Sequence, residues 1–558
     1  MPTSDFMRFS TTDLAYNLRV KRVSRRLWRI SSIAHVYQRS VAANAAIVAL
    51  AFAISRVLGM LREIVIVARF GTGETYDAYI AAFRIPDMLF VIVMSGAFGS
   101  AFIPIFGGFL AREDEERAWR LANALLTYTV VVLLVVAQFI LFFAEPLIGG
   151  IIAPEMSAES QRLAVNLTRL LLLSPLLLGL GAAAKGMLEA QDLFTLPAIA
   201  PIVYNLGIIA GAAFLTPFMD IYGLVAGVIV GAAGHVAIQF AYLLRNGLSI
   251  RPTLDFKTDG LREVARLMGP RVAGQFVGQS NLIVSTNIAS RAGDGAISAL
   301  YVGQHLVLLP HGILALSLAT VIFPRMARLF ELGHLGELRH TLLQALGPLM
   351  FLTLPSAVVL LTMRESIVQV VLQYGSFTAQ STEMVGEAVA YLTLGLLARA
   401  LIEPLTRGFH AMHDTKTPLL AAVGSLLVNG ALAWMLVDRL GFAGVALSLS
   451  IAYTLRMLVL LVLISRRTGG LLHDWMTSLL RMATPIAVLV ILGAALSGPT
   501  AHLTDPADGR SIWGYLMFGS VMAVLGFAYL ATAALFRVPE ALSILERLRR
   551  SLRGLPWP

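Results

Sequence analysis

From residue 42 onward, long apolar runs separated by short polar segments dominate the chain. The first seven runs cover 42–68, 78–110, 121–144, 162–187, 195–215, 221–244 and 264–290. Seven more cover 296–324, 341–363, 384–408, 417–437, 441–464, 475–497 and 511–536. A bilayer core of roughly 30 Å requires about 20 apolar residues in helical conformation, and backbone polar groups in lipid must be satisfied within the segment itself. Each run therefore predicts a transmembrane helix, and the expected fold class is an all-α polytopic membrane protein with about fourteen crossings. An even number of crossings places both chain ends on one side.

The polar segments carry an alternating charge pattern that predicts which side this is. Arg112, Arg117 and Arg120 follow the second run; Arg245, Arg251, Lys257 and Arg262 follow the sixth; Arg325, Arg328 and Arg339 follow the eighth; Arg466 and Arg467 follow the twelfth. The C-terminal tail adds Arg537, Arg547, Arg549, Arg550 and Arg553, whereas the intervening segments hold Glu145, Glu155 and Glu159 or Asp505 and Asp508. Short loops rich in Lys and Arg stay on the cytoplasmic side, so both termini are expected there. The N-terminal cluster Arg19, Lys21, Arg22, Arg25, Arg26 and Arg29 reads as a cytoplasmic segment near anionic headgroups. It is too long and too polar for a cleaved signal peptide.

Composition narrows the class further. The 558 residues are 57% hydrophobic and 14% charged, with a net charge of +10 and a mean hydropathy of +0.77; a soluble chain has about one-quarter charged residues. The positive residues lie between apolar runs rather than in a soluble basic domain, which argues against a nucleic-acid partner. The absence of cysteine excludes disulfides, iron–sulfur clusters and thiolate zinc sites. No GxxxxGK[ST] loop, HExxH motif or soluble ATPase-sized domain is found, so no cofactor or metal is expected. Any transport must then draw on the membrane potential or a monovalent ion.

Two segments resemble each other. Lys185-Gly186 with Asp192 and Pro197 closes the fourth run and opens the fifth; Arg407-Gly408 with Asp414 and Pro418 closes the tenth and opens the eleventh. The cationic, glycine and aspartate positions are each 222 apart, and the prolines 221. The pattern suits a tight turn in which Gly releases one helix, Asp caps the next and Pro sits early in it. Six runs separate the copies, which predicts two halves in the same orientation with a substrate site between them.

Ionisable residues inside membrane spans are costly and mark candidate sites. Arg56, Arg62 and Glu63 lie on the first run, Arg84 and Asp87 on the second. Arg56 and Arg62 are six apart and so on different faces, whereas Glu63 follows Arg56 by seven and shares its face. The later candidates are Arg271, Arg291, His305, Arg399, Glu403 and Arg456; i,i+4 spacing predicts an Arg399–Glu403 ion pair. An excess of arginine suits a diphosphate, whose oxygens accept bidentate bonds from the guanidinium fork. Small residues at 95–101 followed by Pro104 allow close helix approach or a bend. Asp414-Thr-Lys-Thr superficially matches an aspartyl-phosphate motif, but it lacks the glycine and the cytosolic domains, and is read as a helix cap.

The text Ser55-Arg56-Val57-Leu58-Gly59, Arg62-Glu63, Phe70-Gly71, Asp77-Ala78-Tyr79, Ala82-Phe83-Arg84-Ile85-Pro86 and Gly96-Ala97-Phe98 with Ala101 to Pro104 resembles the MviN/MurJ lipid II flippases of the MOP exporter superfamily. Pro270-Arg271-Val272 with Gly274, Tyr204-Asn205-Leu206-Gly207, and Asp414 to Pro418 are similar too. The resemblance implies two six-helix lobes, a cationic central cavity and alternating access. The cargo implied is an undecaprenyl-diphosphate-linked peptidoglycan precursor. It implies substrate-binding roles for Arg56, Arg62, Arg84, Asp77 and Arg271, and gating or coupling roles for Glu63 and His305. The chain departs from the family at Phe90, Val91 and Ser95, where the pattern has Arg, Arg and Glu, and at His305, where it has a cavity Arg.

The organisation expected is a basic segment 1–41, lobes 42–250 and 251–470, two extra helices within 471–540, and a basic tail 541–558. The expected partners are the anionic lipid-linked glycan and membrane lipids; a monomer is compatible with the sequence, which leaves the oligomeric state open. Two other transporter readings are an exporter of another polyprenyl-diphosphate-linked glycan and a drug or cation antiporter, which would need an acidic cavity. An intramembrane transferase would need a clustered acid/base set, and the sequence contains none.

Overall fold

The computed structural model describes residues 41–93, 102–246, 248–504 and 512–552. The basic N-terminal cluster, Ser95 and the small-residue stretch up to Ala101 lie outside the described residues. Helices α1 (Val41–Phe70), α2 (Glu74–Val93), α3 (Phe102–Ala111), α4 (Glu115–Leu147), α5 (Ala158–Leu171), α6 (Leu173–Glu189), α7 (Thr195–Ala210) and α8 (Ile221–Arg245) form the first half. The second half comprises α9 (Leu261–Ala289), α10 (Ala296–Glu331), α11 (Leu335–Thr362), α12 (Arg364–Leu372), α13 (Ala379–Thr393), α14 (Leu396–Ala411) and α15 (Lys416–Thr468). Helices α16 (Leu471–Thr504), α17 (Ile512–Leu535) and α18 (Pro539–Leu552) follow.

Each of the fourteen apolar runs falls on a helix or a helix pair. Among the described residues, eight helices are long and apolar enough to cross a membrane, or nine if α13 and α14, bent by 46°, make one span. Residues 416–468 contain two runs that join at Gly441, whose φ of 57° and ψ of −142° break the helix.

The internal duplication is written in the turns. Asp192 and His413, both at positive φ, sit in turns of the same hydrogen-bond pattern: Leu193 N–H donates to Leu188 C=O, and Asp414 N–H to Phe409 C=O. Glu113 and Gly333, also at positive φ, repeat it, with Asp114 donating to Phe109 and His334 to Leu329. Asp220, at φ 49° and ψ −139°, matches Gly441. The spacings are 221, 220 and 221, so the register of the repeat is that of the prolines rather than the 222 of the aspartates. Asp192 itself occupies the left-handed slot, which aspartate tolerates. In the second copy His413 takes that slot, which frees Asp414 to accept the Thr417 amide at 2.9 Å and to start the next helix.

Packing divides the molecule by end rather than only by half. One core, including Ile66, Ile85, Leu171, Val228, Ile297, Leu300 and Val445, joins both halves. At the arginine-rich end there are two separate cores: Phe102, Phe106, Leu121, Met187 and Leu243 of the first half with Leu261 and Val264 from the start of α9, and Leu342, Leu401, Phe409, Leu460 and Trp475 of the second half. The second core also takes in Leu525 and Tyr529 of α17 and Ala541 of α18. Helix α9 records the divergence. Ala273 to Phe276, four consecutive residues covering most of the helix circumference, are exposed; Gln279, Asn281, Ser285 and Thr286 are buried. Its buried polar groups are matched, since Asn429 on α15 donates to Asn281 at 2.8 Å and to Ser285 at 3.2 Å and accepts from Ser448 at 2.8 Å. The halves thus meet at one end and splay at the basic end.

Candidate functional site: a cationic cavity between the halves

Where the halves diverge they enclose a cavity of about 330 Å³. Arg62, Glu63, Tyr76, Tyr79, Arg84, Asp87 and Phe90 line it from α1 and α2, and Tyr204 from α7. Tyr301, Gln304 and His305 on α10 and Arg399 on α14 line the opposite wall.

Each charged group is held differently. Arg62 donates to Asn205 Oδ1 at 3.2 Å and lies 3.9 Å from Glu63. Glu63, only 2% exposed, accepts the Tyr76 hydroxyl at 2.8 Å. Arg84 Nε donates to Thr286 Oγ1 of α9 at 2.7 Å, and its guanidinium stands 5.6 Å from the Tyr301 ring centre, within cation–π range. Asp87 accepts from Gln279 at 3.4 Å. His305 contacts the Tyr301 carbonyl at 2.9 Å through Nδ1 and packs on that ring, with centroids 4.3 Å apart. Tyr76 stacks near Tyr79 at 6.0 Å and meets Tyr301 edge-on at 6.4 Å, so one wall of the cavity is aromatic and carries hydroxyls.

Of the residues singled out from the sequence, Arg62, Glu63, Arg84, Asp87, His305 and Arg399 come together here. Arg56 does not line the cavity; it is exposed two turns before Glu63 on α1, and Glu63 pairs with Arg62 and Tyr76 instead of with it. Seven residues are two helical turns, about 10 Å, and Tyr76 is closer. The side chain of Arg271 lies outside those described. Arg291 leaves the site, pairing with Asp438 at 3.4 Å and stacking 4.1 Å over Trp434.

Asp77 has a different position from that of a cavity residue. It is 3% exposed, at the end where the halves meet, and accepts the amides of Gly295 and Ser298, each at 2.7 Å. A carboxylate of the first half thereby caps α10 of the second, satisfying orphan N–H groups at the positive end of its dipole.

The expected Arg399–Glu403 pair does not form. Glu403 takes Arg407 at 3.0 Å, also at i,i+4, and Arg399 turns into the cavity. Sequence reasoning passed over Arg399 as a structural pair. It also passed over the cavity residues Tyr301 and Gln304 on α10, whose only signal was their position one turn or less before His305.

Two similarly turned halves around a charged cavity, joined at one end and apart at the other, define a membrane transporter of the alternating-access class. The fold is shared with an inward-facing multidrug resistance MATE family transporter of the MOP superfamily, at a TM-score of 0.63 and 15% identity over 75% of this chain and 95% of that one. A lipid II flippase MurJ structure in an inward closed conformation matches at a TM-score of 0.71 and 25% identity, covering 88% of this chain and 98% of that one. The lipid II flippase MurJ of Burkholderia cenocepacia is 31% identical over 422 residues, 74% of this chain and 82% of its own length. The family model for lipid II flippase MurJ matches residues 66–505. The chain belongs to the lipid II flippase MurJ family.

Proposed function

We propose that the protein is a flippase that carries lipid II, the undecaprenyl-diphosphate-linked peptidoglycan precursor, from the cytoplasmic to the outer leaflet. The observation that carries this reading is the pair Arg62 and Arg84, held in a cavity between the halves in a chain of the MurJ family. A guanidinium there is costly unless it meets a carboxylate, water or an anionic ligand, and a diphosphate matches its donor fork. The tyrosine wall supplies flat apolar faces with hydroxyls for the sugar rings. The arginine-rich end is the cytoplasmic one by loop charge, so the cavity faces the side where the precursor is made. The protein moves its cargo without transforming it.

Outward movement of an anion is favoured by an inside-negative potential at about 2.3 kcal/mol per charge per 100 mV, and we assign the driving force to that potential or to a monovalent ion. A second reading, export of another polyprenyl-diphosphate-linked glycan, is favoured by Phe90 and Val91 standing where the family pattern has arginines.

Complementation of a strain depleted of its own flippase tests the reading. The wild type restores growth and Arg62→Ala at equal expression does not. Growth restored by the variant, or no rescue by the wild type together with flipping of a different lipid-linked glycan in spheroplasts, overturns it.

A further inference from the structure

The guanidiniums of the first half are both hydrogen-bonded to protein, Arg62 to Asn205 and Arg84 to Thr286. Arg399 on α14 differs. It lines the same cavity from the second half, and the carboxylate one turn away is occupied by Arg407. Among the described residues the contact of its guanidinium is the face of Tyr453, 5.4 Å from the guanidinium carbon to the ring centre. A ring face engages the flat side of a guanidinium and leaves its five N–H donors, which point outward in the plane, without an acceptor. Stacking also fixes the plane, so the donor fork is aimed before anything binds. Gln304 and His305, on α10 of the same half, face the cavity beside it.

We infer that Arg399 is the second half's anion contact for the cargo headgroup, so that the cargo is clasped between guanidiniums of both halves. This rests on the flippase reading and assigns a residue within it. The consequence is mechanical. An anion bound by Arg62 and Arg84 alone would travel with the first half, whereas one that also engages Arg399 draws the two walls together. Binding then changes the relation between the halves, as a ligand must if it is to shift a conformational equilibrium. The anionic oxygens that Arg399 meets come from the diphosphate or from carboxylates of the peptide on the sugar.

The test is binding of lipid II and of undecaprenyl diphosphate, which has no peptide, to the purified full-length protein and to Arg399→Ala, Arg399→Gln, Arg399→Lys and Arg62→Ala. Arg399→Ala and Arg399→Gln are expected to bind lipid II at least tenfold more weakly, and Arg399→Lys to recover part of the loss through its charge. An equal loss for undecaprenyl diphosphate places Arg399 on the phosphates; a loss confined to lipid II places it on the peptide carboxylates. Wild-type binding by Arg399→Gln, with Arg62→Ala defective, overturns the clasp and leaves the flippase reading standing. Failure of the wild type to bind either lipid overturns that reading and the clasp with it.

Discussion

The two ends of the molecule are held by different kinds of contact. At the basic end there are two separate apolar cores, Phe102 and Leu121 with the start of α9 in one and Phe409 and Leu460 in the other. At the opposite end the halves share a core, and polar contacts cross between them. Ser376 N–H donates to the Ala68 carbonyl at 2.8 Å, Thr72 donates to Ser381 at 2.8 Å, Asn287 donates to the Ile151 carbonyl at 2.7 Å, and Asp77 caps α10. Apolar cores are close-packed and resist piecemeal opening, whereas hydrogen bonds exchange with water at a net difference of only about 1 kcal/mol each. Separating the halves at this end therefore means parting the shared apolar surface together with the crossing hydrogen bonds, and the hydrogen bonds are the contacts that single substitutions can remove.

Removing Asp77 should break that contrast most severely. Two amides of a helix N-terminus lose a charged acceptor, and hydrogen bonds to charged groups contribute roughly 1.5–3 kcal/mol each, so Asp77→Ala is expected to shift the closed end toward opening by at least about 100-fold. Because the chain has no cysteine, labels introduced at Met156 and Ala292 report the separation directly. An unchanged distance distribution would refute the clamp.

Gly375 should have the next largest effect. It sits at φ +59°, and an added Cβ would run into the Ala68 carbonyl. Forcing a side chain into this strained region costs about 1–3 kcal/mol. Gly375→Ala should push its loop off α1, widening the same label pair and lowering transport while expression holds. A narrow, wild-type distribution would show that the loop yields without cost.

Asp414 sharpens the comparison from the basic end, where it belongs to one half alone. Burial opposes its ionisation, but the Thr417 hydroxyl and amide and the Arg467 guanidinium prevail and lower its pKa to about 2. A depressed carboxylate contributes stability that is complete above its ordinary value of 3.8 and is lost as pH falls toward 2. Its removal should cost roughly 2 kcal/mol at neutral pH. Asp414→Asn is expected to melt lower at pH 7, to converge with the wild type near pH 2, and to leave the label separation unchanged. Unfolding in detergent across pH 7 to 2 checks both points.

Much of the fold was legible in advance because hydropathy adds up along a segment whatever its neighbours are. The apolar runs, the loop charges and the repeated turn are local properties. The register of that turn was misread by one residue, since Asp192 and Asp414 have the same chemistry and different jobs, one ending a helix and the other beginning one. Arg62 and Arg84 were legible as candidates because arginine at bilayer depth is rare, yet the same rule also promoted Arg56, which is exposed and does not line the cavity.

Chain order alone settled the all-helical class, the side on which the cations gather, the doubling of the unit and the presence of guanidiniums in the first two spans. It could not settle which of those groups share a hollow. Each residue turns a helix by about 100°, so a small rotation decides between lipid and cavity, and that rotation is set by packing from elements far away in sequence. Choice of partner is likewise a competition: Glu403 had Arg399 and Arg407 at equal spacing, and only the surroundings of α14 awarded it to Arg407, leaving Arg399 to face the cavity.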